Sequence, residues 1–264
     1  MPAVFFGHGS PMNTLERNRY TEAWRYLGES LPKPKAILAV SAHWYTRGTA
    51  VTSMEQPRTI HDFGGFPQEL FEVQYPAPGD PALAERVREL LAPVDVQLDK
   101  SWGLDHGTWS VLVHAFPNAD VPVVQLSIDG TKPPSFHYEL AQKLAPLRDQ
   151  GVLIVGSGNV VHNLGRIQWA EGAKPFDWAI RFNDTVRGFL SAHAHGSLID
   201  YLTLGEDARL SVPTPEHYLP LLYVIALQSG HEGISLPIDG IEYGSIGMLT
   251  AVVGLEADYP IPAD

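Results

Sequence analysis

Short apolar runs alternate along the chain with longer segments of helical periodicity. Ala3–Phe6, Ala36–Val40 and Val152–Val155 are apolar without interruption, and Val121–Ile128 is nearly so. Runs of about four to eight such residues read as strands buried on both faces, as in a parallel sheet covered by helices. Ala50–Ser53 and Val94–Leu98 read as shorter strands, and Ile246–Gly254 as a last strand or core segment. Between them, 15–29, 135–148 and 176–193 place apolar residues at helical spacing. Asp80-Pro81 supplies an N-cap and a first-turn proline for a helix through Leu91. Thr108 is the expected cap of a helix to about Phe116, and 213–228 is expected to be helical, with Thr214 as cap and Pro215 in the first turn. Strands alternating with helices, without an internal repeat or linker, predict one α/β domain over residues 1–264.

Three of the apolar runs lead into a histidine. His8 lies between Gly7 and Gly9, His43 follows the small pair Ser41-Ala42, and His162 closes the turn that starts at Gly156. Ligands of open α/β sheets bind at the carboxyl ends of the strands. A histidine in one such place is ordinarily structural, but three with the same placement predict a metal site on the sheet rim. His106, in Leu104–Trp109, and His217, in Pro213–Tyr218 beside Glu216, are further candidates. For His217 the plain alternative is a first-turn helical residue facing water. Asn159 or Asn163 is placed to orient a histidine ring by a hydrogen bond. Neutral imidazoles without thiolates suit Zn, Fe or Cu better than Mg or Ca.

The segment 56–80 is rich in proline, glycine and aromatics, and a loop of that length in a compact domain is usually functional. With Trp44, Trp102 and Trp109, its rings Phe63 and Phe66 suggest a flat apolar substrate, although Trp109, on a helix, reads first as core.

Composition narrows the choice of partners. Thirty acidic against eighteen basic residues give a formal charge of -12, which argues against nucleic acid and against an anionic membrane surface. The chain has no cysteine, so thiolate nucleophiles, zinc ribbons and cysteine-held clusters are excluded. The N-terminus lacks the basic and apolar regions of a secretory signal. The longest apolar run, Leu219–Leu227, is broken by Pro220 and too short to cross a bilayer. A cytoplasmic location is expected, and the oligomeric state is open. There is no G-x-S-x-G elbow, Walker A run or H-E-x-x-H pair, and Gly156-Ser157-Gly158 is a weak start to a dinucleotide fingerprint.

Six motifs, taken together, resemble a known family: GHGSPMN at 7–13, SAHW at 41–44, DFGGFP at 62–67, LDHGTW at 104–109, GSGNVVHNL at 156–164 and PTPEHYLPL at 213–221. They are similar to the LigB-type class III extradiol ring-cleavage dioxygenases, and most of all to the 4,5-DOPA extradiol dioxygenase subgroup. The resemblance implies a single α/β domain with a central mixed sheet flanked by helices and a metal at the strand ends. It implies His8, His43 and His217 as metal ligands, and His162 as either a ligand, in zinc-bound forms, or the acid/base, in iron-bound ones. His106 would be the second catalytic histidine. From the residues themselves, the aromatic Phe63, Phe66 and Trp44, and His61 in the aromatic loop, are expected to face the substrate. Fe(II) is the expected working metal, with Zn(II) able to occupy the same site; a small catechol and O₂ are the expected partners. His217, with Glu216 adjacent, stands where the protocatechuate branch has a carboxylate ligand. Gly64 stands where that subgroup has a tyrosine, which implies a wider pocket. A zinc-dependent hydrolase built on the same imidazoles, or a non-enzymatic binding protein of the Memo type, are the alternatives.

Overall fold

The computed structural model describes residues 1–170, 172–230 and 232–255. Its centre is an eight-stranded sheet. In chain order the strands are β1 (Ala3–Gly7), β2 (Ala36–Thr46), β3 (Thr49–Thr52), β4 (Val96–Asp99), β5 (Val123–Asp129), β6 (Val152–Gly158), β7 (Ile234–Ile238) and, after the hairpin β8 (Ile241–Glu242) and β9 (Ile246–Gly247), β10 (Thr250–Val253). Their order across the sheet is β4-β3-β5-β2-β6-β1-β10-β7. The four central strands, β5, β2, β6 and β1, run parallel. β10 and β7 are added antiparallel on one side, and β3 pairs antiparallel with β5 on the other. The sheet is therefore mixed, as the family resemblance implied, with a parallel centre and a further parallel pair, β3 and β4, at one edge.

Alternation along each strand divides the core in two. Phe5, Leu38, Val40, Val124 and Ile154 face one side, against the helices Pro81–Leu91, Pro134–Gln142, Asp177–Ser191 and Leu219–Ile225. Val4, Phe6, Ile37, Ala39 and Val155 face the other, against Arg19–Ser30 and His106–Ala115, whose Trp24 and Trp109 are fully buried. Both faces being covered is why the central strands are apolar throughout. Pro237 lies in β7, at an edge, where a missing N–H is tolerated.

Several boundaries depart from the pattern. β2 does not stop at His43 but continues to Thr46, with its register against β5 broken between Val40 and Tyr45. The expected helix over 135–148 is two helices, Pro134–Gln142 and Ala145–Asp149, interrupted before Pro146. The helix after Asp105 is capped by Asp105, whose carboxylate accepts from Thr108 N, so Thr108 lies inside it. The helix expected from 213 begins only at Leu219. Residues 213–218 form the turn that carries His217. Among the described residues, no helix is long and apolar enough to cross a membrane.

The sheet's β10–β7 side is tied to the N-terminus through Arg148. Its guanidinium donates to Glu232 at 2.6 and 2.8 Å, to Met1 O and to Leu227 O. Hydrogen bonding from Arg148 holds the Glu232 carboxyl down at about 2. A carboxyl whose pKa is depressed on folding stabilises the protein above its unfolded value and loses that contribution as pH falls through the folded one. Glu232→Gln is expected to remove about 1–2 kcal/mol at neutral pH, allowing for partial solvent screening. Melting curves of the two proteins should converge between about pH 4.5 and pH 2. A constant gap across that window would contradict the assignment.

Candidate active site

β2, β6 and β1 are neighbours and parallel, so their carboxyl ends open on the same rim. His8 follows β1, His43 sits at the broken register of β2, and His162 lies beyond β6, bridged to Ile246. His217 is brought to this rim by a backbone bond: Asn159 N, just past β6, donates to His217 O at 2.8 Å. The approach is close enough that a Cβ at Gly158 would lie 2.1 Å from that same carbonyl oxygen. His106 opens the helix Asp105 caps.

The structure brings His8, His43 and His217 into one cluster, each offering a ligand nitrogen within 4.8 Å of the others. His8 Nε2 and His43 Nε2 are 3.4 Å apart. Their other nitrogens fix where the protons sit. Ser157 Oγ donates to Gly107 O, so towards His8 Nδ1, 2.9 Å away, it is an acceptor and Nδ1 carries the hydrogen. His43 Nδ1 lies 3.2 Å from Asp62 Oδ2, and His217 Nδ1 lies 3.2 Å from Glu216 Oε1. Each ring therefore keeps its Nε2 lone pair bare.

Protonation does not relieve the clash between these lone pairs. Burial, with the neighbouring histidines, lowers His8 and His217 well below the ordinary imidazole value. Burial and His106 hold His43 at about 3, against the opposing pull of Asp62. Neutral imidazoles with converging lone pairs fit a divalent metal of the Zn or Fe type, and these three residues would hold it.

His162 is not in that cluster. It stacks on His217, centroids 3.4 Å apart and planes 5° apart, and groups instead with Glu216 and His217. Burial holds it at about 4, so it is neutral near pH 7. His106 packs against His43, ring centroids 3.9 Å apart. Both line a cavity of about 700 Å³ that also holds the three clustered imidazoles.

The structure separates the expected substrate-facing residues. Phe63 and Phe66 line the cavity, with Phe63 edge-on to His106 at 5.4 Å. His61 and Trp44 are not among its lining residues. His61 Nε2 faces Val73 O at 2.9 Å and its ring packs on Trp109, which fixes the loop from behind. Trp44 is buried and stacked on Trp102, because alternation along β2 turns it to the face opposite His43. Trp109 is core, its Nε1 donating to Ile60 O. Gly64 lines the cavity, and a Cβ there would meet nothing within 4 Å.

Asp62 and Ser157 were not singled out by the sequence reading. Asp62 Oδ1 accepts from His106 N at 2.8 Å and lies 3.0 Å from His106 Nδ1, while Oδ2 faces His43. Burial alone would raise its pKa, but the hydrogen bonds and field of His106, with His43, outweigh burial and keep it ionised. Asp62 lies in DFGGFP among aromatic and glycine neighbours, with no local signal that marks its role. Asn159 and Asn163 do not orient a ring: their side chains donate to Gly247 O and Leu210 O.

Comparison with known proteins identifies the relatives of this chain. Residues 8–253 match the model of a family described as the catalytic LigB subunit of aromatic ring-opening dioxygenase. A 4,5-DOPA dioxygenase extradiol of Escherichia coli (strain K12) is 56% identical over 258 residues, covering 96% of this chain and 95% of its own. A protein of the same name from Beta vulgaris is 40% identical over 225 residues, 82% of this chain and 83% of its own. The crystal structure of an uncharacterized protein from Escherichia coli K12 superposes with a TM-score of 0.85 at 51% identity, covering 96% of this chain and 100% of that one. The chain belongs to the LigB family of extradiol ring-opening dioxygenases.

Removing an outer partner of a ligating histidine typically costs about 10–100-fold in metal affinity. Ser157→Ala and Asp62→Asn are each expected to weaken metal binding by about that factor, measured by competition with a chromogenic chelator. Wild-type affinity in both would show that the rings hold their orientation without these partners.

Proposed function

We propose that this protein opens the aromatic ring of a catechol amino acid such as DOPA by extradiol cleavage, with Fe(II) as the working metal. The observation that carries the reading is the set of three neutral imidazoles with converging lone pairs beside two further histidines in one apolar-walled cavity. The names of the Escherichia coli and Beta vulgaris relatives support DOPA as substrate. Overall, one ring carbon–carbon bond beside a hydroxyl-bearing carbon breaks and each freed carbon gains one oxygen of O₂. The product is a muconic semialdehyde, whose newly formed carboxyl group is ionised at neutral pH and so releases one proton to solvent.

What Fe(II) supplies when held by His8, His43 and His217 is Lewis acidity toward the catechol hydroxyls and redox capacity toward O₂. The protein's own groups manage protons and water. His162 is neutral at pH 7, so it enters the reaction as a base. It takes a hydroxyl proton from the catechol and returns that proton as the ring opens, acting as an acid only after it has acted as a base. His106, with Nδ1 beside ionised Asp62, offers its other nitrogen to the second hydroxyl. Phe63, Phe66 and Ile246 wall the cavity with apolar surface and keep bulk water from the reacting ring.

Oxygen uptake with DOPA, after anaerobic reconstitution with Fe(II), is expected to match semialdehyde formation one to one. Protein loaded with Zn(II) should consume none. His162→Ala and His106→Ala are each expected to slow turnover by about 10²–10⁴-fold, the usual worth of a positioned acid–base group. Wild-type turnover in His162→Ala with full metal content would remove its proton-transfer role. No uptake with any catechol at full iron occupancy would overturn the proposed activity.

A further inference from the structure

The cavity wall includes Trp169 and Tyr243. Tyr243 occupies the turn between β8 and β9 with φ 52, followed by Gly244 with φ 78. A bulky residue is rarely held in the left-handed region, and such outliers concentrate at functional sites. Among the described residues, three non-glycine residues have positive φ, Ala119, His193 and Tyr243, and of these Tyr243 alone lines the cavity. The turn is held by its backbone: Gln168 N donates to Tyr243 O at 2.9 Å and Phe176 N to Gly244 O at 3.0 Å. Trp169 packs on the tyrosine, ring centroids 5.5 Å apart, yet remains 67% exposed. Two aromatic rings in mutual contact thus line the same cavity as the five histidines.

The charged groups that line the cavity and the pocket beside it are mostly acidic. Among the described residues, the cavity lining includes Asp62 and no lysine or arginine. An adjoining polar pocket of about 300 Å³ shares Ser10 and Tyr243 with the cavity and contributes Glu16 and Glu242. Its guanidinium, Arg19, donates to Tyr20 OH at 2.9 Å and to Asp239 O at 3.3 Å and lies over the Tyr20 ring. Tyr20 in turn donates to Glu242 at 2.6 Å. Two carboxylates therefore stand against one engaged guanidinium. The Tyr243 hydroxyl is raised above its usual value by burial and by the field of Glu16. A ring face backed by carboxylates attracts a cation and repels an anion.

We propose that Trp169 and Tyr243 form a cation–π subsite for the side-chain ammonium of an amine-bearing catechol, and that the ammonium, not the carboxylate, is what the site recognises. The inference rests on reading the cavity as a catechol site, and specifies which substituent selects the substrate.

The test is calorimetric titration of the metal-loaded protein under anaerobic conditions, where binding is read without turnover. The ligands are DOPA and catechols carrying an aminoethyl, an ethyl or a propanoate side chain. The aminoethyl catechol is expected to bind about 3–30-fold more tightly than the ethyl one, the range a cation–π contact supplies. DOPA should bind close to the aminoethyl compound, and the propanoate no better than the ethyl. Trp169→Leu, at an exposed side chain, and Tyr243→Gly, which suits the positive φ of the turn, should each bring the aminoethyl-to-ethyl ratio towards one. Equal binding of the aminoethyl and ethyl compounds, tighter binding of the propanoate, or a ratio unchanged in both variants would overturn the inference. Failure of the same protein to open any of these rings in air would overturn the proposed function instead, and the affinity series would still decide this question.

Discussion

Two ring nitrogens with bare lone pairs, 3.4 Å apart in a buried site, repel each other. The protein holds His8 and His43 in that relation because each ring's proton is committed elsewhere, to Ser157 and to Asp62. Burial then denies either ring the proton that would turn repulsion into a hydrogen bond. The arrangement is strained without a cation and relieved by one. Much of the surrounding structure keeps those two protons in place.

The first turn of the helix His106–Ala115 is where these constraints meet. Asp105 caps the helix and accepts from Ser41 Oγ at 2.7 Å, and Ser41 Oγ accepts in turn from His43 N. Burial raises the Asp105 carboxyl, while Ser41 and Gln125 pull it back down. His106 supplies a cavity-facing ring, and Gly107 O receives the Ser157 hydroxyl that fixes His8. A Cβ at Gly107 would lie 2.5 Å from Ser41 Oγ and 2.8 Å from His43 Cδ2, so the turn fits beneath β2 only as glycine. One helical turn thereby links a cavity histidine to two of the proposed ligands. Asp62, from the aromatic loop, closes the circuit by contacting both His43 and His106.

This explains which parts of the molecule the sequence revealed. Apolar runs announced the central strands because both faces of the sheet are covered, and histidines just past those runs announced the rim. Asp80-Pro81 marked its helix because a cap and a first-turn proline act locally, and the structure keeps both. Local signals failed where tertiary contacts decide. Pro215 suggested an early helix start, but His217 is held in a turn by Asn159 N, a partner 58 positions away in sequence. Trp44 and His61 looked like pocket residues from their neighbours, yet strand alternation and a bond to Val73 O turn them into the structure. Ser157 has no local mark at all. Its importance comes from sitting in register between Phe6 and Ser41 across three strands.

This assembly of histidines serves the insertion of O₂ into a ring, and not the activation of water or the docking of a partner. The most direct measurement is the fate of isotopically labelled oxygen. Fe(II)-loaded protein would be allowed to act on DOPA under ¹⁸O₂, with the product trapped at once by reduction, before its aldehyde exchanges with water. Both atoms of one oxygen molecule are expected in the ring-opened product, one on each carbon of the broken bond. Label from water at either position, or an oxidised catechol with its ring intact and no label, would contradict that role.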